Sequence, residues 1–402
     1  MKNYGRRVKK VEGKDRLSDL HDDILIHIQS FLDVKSAAQT CVLSRRWRNN
    51  KLWIHHPDVY LNSKTFGKTS YKFREFVDMV LTQRDKLHHK IRSFSFNWTF
   101  KSQIPQELLD KVHAHVKYHD VGHFDLSICC ASRQRSYPSQ KFNPKSLTSL
   151  RLNLSNRYRG SLCTDSTLKP LLLYLSGCTT LKTLWLENIS MVIDSFDVDL
   201  FSSLVDLTDL HIIGCFIIGK DRRFLVRAPR LERLTILKNI CESYMIVPRW
   251  EISSHVLKYL RTDLCLSRPT RDCIDKLEID FPTFEDYKTA RHANRVINTL
   301  RYLPQAKSVT LSKAALQVIS AFPGKSISGR LPPLPQFKWE HLKLEERSGS
   351  LTEFKSKIPQ QVLDGVHSYA QSHGGVRRFD FSIGCASGYT VVILQKISIR
   401  NL

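Results

Sequence analysis

No run of eighteen apolar residues occurs in this sequence, so no membrane-spanning helix is expected. The opening stretch, Met1-Lys2-Asn3-Tyr4-Gly5-Arg6-Arg7-Val8-Lys9-Lys10, is charged but has no apolar core, and no secretory signal is read there. The ten cysteines are scattered, with no Cys-x-x-Cys and no histidine at metal-ligand spacing beside them. That usage suits a reducing compartment, the cytoplasm or the nucleus, where they serve as small buried hydrophobes or free thiols. Acidic residues are scarce: 38 against 62 lysines and arginines, for a formal charge of +24. Such an excess raises nucleic-acid binding as a reading, because cations that neutralise phosphates release counterions. The basic residues are spread along the whole chain, however, and no nucleic-acid motif accompanies them. Spread-out charge points to solubility or an acidic partner. Arg6-Arg7-Val8-Lys9-Lys10 is the one compact basic cluster, readable as a nuclear import signal or as a solvated tail.

Catalytic signatures are missing as well. Gly324-Lys325-Ser326 resembles the end of a phosphate-binding loop, but the motif needs glycine where Ile319 stands. His113-x-His115 lies in a helix-like stretch, where residues two apart face away from each other. His55-His56 and His88-His89 have no acidic or cysteine partners nearby. Neither Gly-x-Ser-x-Gly nor His-Glu-x-x-His occurs. No enzyme activity, cofactor or metal site is expected.

What is present begins at Asp15. From there to Trp53 the chain reads as three short helices. Ile24, Leu25, Ile28, Phe31 and Leu32 give the first helix one wide apolar face, and Asp22 and Asp23 suit the positive end of its dipole. Asp33 is placed to cap a second helix from Val34 to about Cys41, and Ser44 to cap a third through Arg45-Arg46-Trp47. About forty residues are too few to bury a core of their own, so the module must lean on the rest of the chain or on a partner.

The series Asp15-Arg16-Leu17-Ser18-Asp19-Leu20, Asp22-Asp23, Ile28, Ser30-Phe31-Leu32 and Cys41-Val42-Leu43-Ser44-Arg45-Arg46-Trp47-Arg48 resembles the F-box of plant F-box proteins. Two departures stand out. His21 replaces the proline of the family pattern, and Asn50-Lys51 intervenes before Leu52-Trp53. The resemblance implies docking on a Skp-type adaptor, and through it a cullin. Carried over by position, the contacts are Leu17, Leu20, Ile24, Leu25, Ile28, Phe31, Leu32, Val42, Leu43 and Trp47, some of which must instead hold the module together.

Helical periodicity continues through Phe73, Phe76, Val77, Val80 and Leu81, and beyond Lys90 the period changes. The phrase apolar-x-x-apolar-x-apolar then recurs, as Ile91-Phe94-Phe96, Val121-Phe124-Leu126, Leu147-Leu150-Leu152, Leu181-Leu184-Leu186, Leu207-Leu210-Ile212, Leu231-Leu234-Ile236, Ile274-Leu277-Ile279 and Ala306-Val309-Leu311. Leu257-Leu260 carries a weakened form ending at Thr262, and Leu342-Leu344 another. Recurrence at such spacing is the mark of a solenoid, with each phrase a short strand. The returns between strands are read as helix, as from Ser166 to Leu175, or loop. The pattern resembles the irregular leucine-rich repeats downstream of plant F-boxes, while a conventional α/β domain is the competing reading. The FBD region that often follows such repeats is not identifiable.

A second repetition is of another kind. Phe100-Lys101-Ser102-Gln103-Ile104-Pro105-Gln106 recurs as Phe354-Lys355-Ser356-Lys357-Ile358-Pro359-Gln360, and Phe124-Asp125-Leu126-Ser127-Ile128 as Phe379-Asp380-Phe381-Ser382-Ile383. Exposed-type residues match along with the apolar ones, which points to a duplicated segment. The organisation expected is a basic tail at 1–14, an F-box at 15–60 and a helical linker at 61–90. An array resembling leucine-rich repeats follows at 91–346, then a partial duplicate of the 99–132 segment with an unmatched tail at 347–402. The fold class is an α+β or α/β solenoid behind three N-terminal helices.

Between the last two apolar positions of each phrase lies a residue pointing away from the core. These are Arg151, Trp185, His211, Thr235, Arg261, Glu278, Thr310 and Lys343. If the array curves they line one concave face, suited to a target protein. The function implied by the resemblance is substrate recognition for a cullin-RING ubiquitin ligase. An interaction scaffold whose altered F-box has lost the adaptor is the alternative.

Overall fold

The computed structural model describes residues 17, 19–86, 90–130, 144–156, 175, 177–193, 201–219, 223–237, 239–241, 249–263, 266–268, 274–280, 306–312, 315, 341–347, 379–386 and 389–396. The basic tail, the helical return expected from Ser166 (Leu175 apart) and the duplicated Phe354–Gln360 stretch lie outside these residues.

The three expected helices form. α1 (Asp22–Gln29) carries Asp22 and Asp23 in its first turn. α2 (Val34–Gln39) is capped by Asp33, whose carboxylate accepts from the Ser36 N–H at 3.0 Å and from its hydroxyl at 2.8 Å. A 3-10 turn, Thr40–Val42, extends it. α3 (Arg45–Asn50) is capped by Ser44 Oγ, which accepts from the Trp47 N–H at 3.4 Å. Leu25, Trp47 and Leu52 make a small core of their own, with Leu20, Ile26 and Ile28 packed against it. Val34, Ala37, Trp53 and Ile54 belong instead to the large core of the rest of the chain. The module leans on its own chain, as its size requires.

Two more helices, α4 (Ser70–Asp85) and α5 (Gln106–Tyr118), alternate with the first of the strands. These are β1 (Asp58–Asn62), β2 (Ser93–Trp98), β3 (His123–Cys130), β4 (Ser149–Asn156) and β5 (Thr183–Glu187). Next come β6 (Ser190–Ile193), β7 (Asp209–Ile213), β8 (Phe216–Gly219), β9 (Arg223–Arg227), β10 (Arg233–Leu237), β11 (Ile240–Cys241) and β12 (Arg249–Ser253). The remainder are β13 (Tyr259–Thr262), β14 (Leu266–Arg268), β15 (Lys276–Ile279), β16 (Ser308–Ser312), β17 (His341–Arg347), β18 (Phe379–Ala386) and β19 (Tyr389–Lys396).

Thirteen of these strands form one open sheet ordered β1-β2-β3-β4-β5-β7-β10-β13-β15-β16-β17-β19-β18. From β1 to β17 every neighbour is parallel and follows in chain order. The recurring phrase is the sequence image of this sheet. Phe94, Phe124, Leu150, Leu184, Leu210, Leu234, Leu260, Leu277 and Val309 are in register across nine strands. None of them is more than 2% exposed. The first positions of the phrase, from Ile91 through Leu147 to Ala306, form a second buried column. Thr262, which ends the weakened phrase, is also fully buried.

The sheet begins earlier than the phrase shows. β1 straddles the boundary between the segments read as F-box and as linker, and α4, read as linker, is the crossover between parallel strands β1 and β2. The phrase is hidden there because His56 stands where an apolar residue would precede Val59 and Leu61. His56 is buried all the same, its Nδ1 accepting from the Asp58 N–H at 3.0 Å.

Further along, several of the described return segments are strands. β11-β8-β6 and β14-β12-β9 form two small parallel sheets beside the large one. The chain leaves β5 and β7 through left-handed residues, Asn188 (φ 55) and Gly214 (φ 62). A Cβ on Gly214 would sit 2.8 Å from Asn188 Oδ1, so glycine is needed for its φ and for its closeness to the preceding turn. Asn239, just after β10, holds the Gly214 turn, donating to the Ile212 carbonyl and accepting from the Cys215 N–H. At the far end the duplicated Phe379–Ala386 segment forms a strand, as its counterpart in β3 does. It pairs antiparallel with β19, which in turn runs antiparallel to β17.

Candidate protein-interaction surfaces

Two surfaces emerge. On the N-terminal module, the ten positions singled out in the sequence divide by burial. Leu25 and Trp47 are inside the small core, and Leu20 and Ile28 pack against it. Leu17, Ile24, Phe31, Leu32, Val42 and Leu43 are exposed, Phe31 at 78% and Val42 at 77%. Six of the twelve exposed large hydrophobic side chains of the described residues thus fall within 17–43. So many exposed apolar side chains on one small module are an unfavourable way to meet water unless something covers them.

The second surface is the outward face of the large sheet. Its middle row runs in register through Tyr60, Ser95, Asp125, Arg151, Trp185, His211, Thr235, Arg261, Glu278, Thr310 and Lys343. Trp185 does not stand alone. Its ring stacks on His211 with centroids 3.7 Å apart and planes at 18°, and the Arg151 guanidinium lies 5.2 Å from its centroid. Arg151 in turn donates to both oxygens of Glu187, at 2.9 and 3.1 Å, and Asn153 donates to the same carboxylate at 2.9 Å. Burial pushes the His211 imidazole down to about 4, and Arg233, Arg151 and Arg261 act in the same direction against Asp209. It is neutral at pH 7 and stacks as an uncharged ring. Burial likewise raises the Asp125 carboxyl, which Arg151 partly offsets.

Thr235 and Thr310, expected to face a partner, are 5% and 3% exposed. Each is shorter than its in-register neighbours, His211 and Arg261 beside Thr235 and Glu278 beside Thr310, and is covered from the side. Arg261 binds Asp280 at 2.5 Å, and Glu278 accepts from Tyr259 at 2.7 Å and pairs with Lys276 at 2.6 Å. Burial alone would raise the Glu278 carboxyl, but the bonds from Lys276 and Tyr259, with Arg261 nearby, hold it below its usual range. Arg233 pairs with Asp209 one row away. The charges of this face are therefore largely matched among themselves, and the excess of basic residues is not concentrated here.

Residues 17–50 match the F-box domain family. The relatives are of one kind. A putative F-box/FBD/LRR-repeat protein of Arabidopsis thaliana is 30% identical over 186 residues, covering 44% of this chain and 34% of the relative. An F-box/FBD/LRR-repeat protein of the same plant is 30% identical over 244 residues, covering 57% and 48%. An F-box/LRR-repeat protein from it is 44% identical over 72 residues, covering 17% and 19%. The chain is similar to plant F-box/LRR-repeat proteins, and its residues 17–50 carry the F-box. It spans at most about half the length of these curated relatives.

Both departures from the F-box pattern are accommodated. His21 occupies the N-cap of α1 with φ −64, within the range that proline would preset, so the backbone survives the replacement. Lys51, with φ 43 and ψ 48, closes α3 in the left-handed region, and Leu52, Trp53 and Ile54 are buried directly after it. Asn50 and Arg46 both donate to the Asp22 carboxylate, tying α3 to α1.

Sequence reasoning missed two sets of residues. Glu187, Asp209, Arg233 and Asp280 share the outward face because they lie two positions from the middle row, which strand period alone would have shown. Asp85, His115 and His119 come together at the joint of α4 and α5. Comparing His115 with His113 hid this, since the partner on its helix face is His119, four residues on.

Proposed function

We propose that this chain is the substrate-recognition subunit of an SCF-type, cullin-RING ubiquitin ligase, acting in the cytoplasm or nucleus. Its F-box docks on a Skp-type adaptor, which joins it to a cullin. The parallel array, read as an irregular leucine-rich-repeat solenoid, holds a target protein on its outward face around Arg151, Trp185 and His211. The observation that carries this reading is the exposed apolar set Leu17, Ile24, Phe31, Leu32, Val42 and Leu43 on a module of the F-box family. The array supplies the target with a place near the ubiquitin-charged enzyme, so catalysis is proximity and the chain contributes no active-site residues.

Co-purification of the full chain with a Skp-type adaptor tests it. Wild type is expected to form a stable complex, and Phe31→Asp and Val42→Asp, both at exposed sites, to abolish it while the chain stays folded. Failure of the wild type to bind would leave the scaffold reading in its place. Undiminished binding by both variants would move the interface elsewhere.

A further inference from the structure

Where α4 ends, Asp85 faces the last turn of α5. Its Oδ1 is 2.6 Å from His115 Nδ1 and 3.1 Å from His119 Nε2. The two imidazole rings are 4.2 Å apart, and one ligand atom from each of the three residues lies within 4.8 Å of the others. Both histidine side chains are almost wholly buried, whereas that of Asp85 is half exposed. The cluster is therefore walled by protein on the histidine side and open to solvent on the carboxylate side.

We propose that Asp85, His115 and His119 form a zinc site, with water from the open side as fourth ligand. The donor set is the right chemistry. Two imidazoles and a carboxylate suit a borderline ion such as Zn2+, while Ca2+ and Mg2+ prefer shells of oxygen. Zinc–ligand bonds of about 2.0–2.2 Å set tetrahedral ligand atoms roughly 3.5 Å apart, so the Asp85 oxygen, now hydrogen-bonded to both imidazoles, would move out slightly to admit the ion. Spacing supports the pairing too, since residues four apart on a helix share a face.

The place of the site gives it a consequence. Arg84, adjacent to the carboxylate ligand, donates to the carbonyls of Trp53 and His56, at the junction of the F-box and the sheet. Zinc there fastens the end of α4 to α5 and so stiffens that junction.

Cobalt titration of the chelator-stripped full chain is the test. Wild type is expected to bind one Co2+ with the visible d–d bands of a four-coordinate centre, displaced by Zn2+, and Zn2+ is expected to raise its melting temperature. Asp85→Asn and His119→Gln should lose the bands and weaken binding by more than about tenfold, at least the cost of losing a mere supporting partner. His27→Gln, at an exposed histidine outside the cluster, should bind as wild type does. Circular dichroism verifies folding, and Asp85→Asn, a change at a half-exposed position, keeps the test valid should His119→Gln misfold. Absence of stoichiometric binding, six-coordinate bands, or equal affinity in Asp85→Asn would overturn the proposal.

Discussion

Ile24 and Leu25 are neighbours on α1 and should fail in opposite ways. Leu25 is fully buried, packed with Trp47 and Leu52, while Ile24 is 48% exposed. A buried leucine cut to alanine costs about 2–5 kcal/mol, and the cost depends on how far the site collapses. Here the core is small and edged by half-buried Leu20, Ile26 and Ile28, which have room to relax, so about 2–3 kcal/mol is expected for Leu25→Ala. Ile24→Ala removes little from the folded chain, and alanine is the better helix former by a few tenths of a kcal/mol, so stability should change by less than about 0.5 kcal/mol. Binding reverses the order. Covering the exposed half of an isoleucine is worth roughly half of the 1.5–3 kcal/mol for full burial, or about 1 kcal/mol, about fivefold in Kd. Urea unfolding followed by tryptophan fluorescence measures the first quantity, since Trp47 lies in the same core. Calorimetric titration with a Skp-type adaptor measures the second. Ile24→Ala destabilising the chain as much as Leu25→Ala, or leaving adaptor affinity unchanged, would refute the division of this helix into an inner and an outer row.

Three further outcomes are expected. Lys51→Gly should stabilise the chain by about 0.5–1 kcal/mol in urea, because a non-glycine residue pays about 1–2 kcal/mol in the left-handed region and its bond to Gln83 is exposed; a loss of stability would show the strain to be absent. Arg84→Met should destabilise by about 1–3 kcal/mol, since Arg84 is buried and the His56 carbonyl, bound at 2.6 Å, would be left bare. Burial lowers Arg84 only to about 10, so the charge is present throughout the accessible range and the effect should not vary between pH 6 and 8. His113, pushed down to about 4 by burial, is neutral in the folded chain while its unfolded form takes a proton near 6.5. Stability should then fall as pH drops from 6.5 toward 4, by up to about 3 kcal/mol from this residue, and stay flat above. His113→Phe should lose less of its urea midpoint between pH 7 and 5 than wild type, and parallel curves would contradict the assignment.

The columns of the large sheet were legible because each apolar phrase fills two inward positions of one strand and one buried position just before it, and strands stacked in register repeat the same demand. Where a polar residue took one of those positions the signal broke. His56 concealed β1, although the ring is buried and bonded to its own turn. The small sheets were not legible, since strands as short as Ile240–Cys241 and Leu266–Arg268 carry too few residues to show a period and owe their shape to parallel neighbours. At the outward face the middle row falls in register across the strands, but its exposure was not legible. Whether a threonine meets solvent depends on the length of the residues beside it in space, which Thr235 and Thr310 do not reveal in sequence. The F-box positions were legible as a set for the same reason that they were not divisible. One helix face shows every apolar residue alike until the second body it packs against is known.

For the inner row that second body is α3 and the turn after it, while the module as a whole rests on the array through other residues. α2 gives Val34 and Ala37 to the large core, Trp53 and Ile54 follow them in, and Lys35 reaches the Thr65 carbonyl and the ring of Phe66. Arg84 then binds two carbonyls of the connecting turn from the other side. A flexible tether would let a bound target wander, and the effective concentration it offers falls steeply with tether length. A junction built from shared core residues has no such freedom. Under the proposed function, the orientation of the target relative to the adaptor is set by the packing of about five side chains between α2, β1 and α4. Substitutions at Val34 or Ile54 should therefore impair transfer of ubiquitin to a target while leaving both binding surfaces intact.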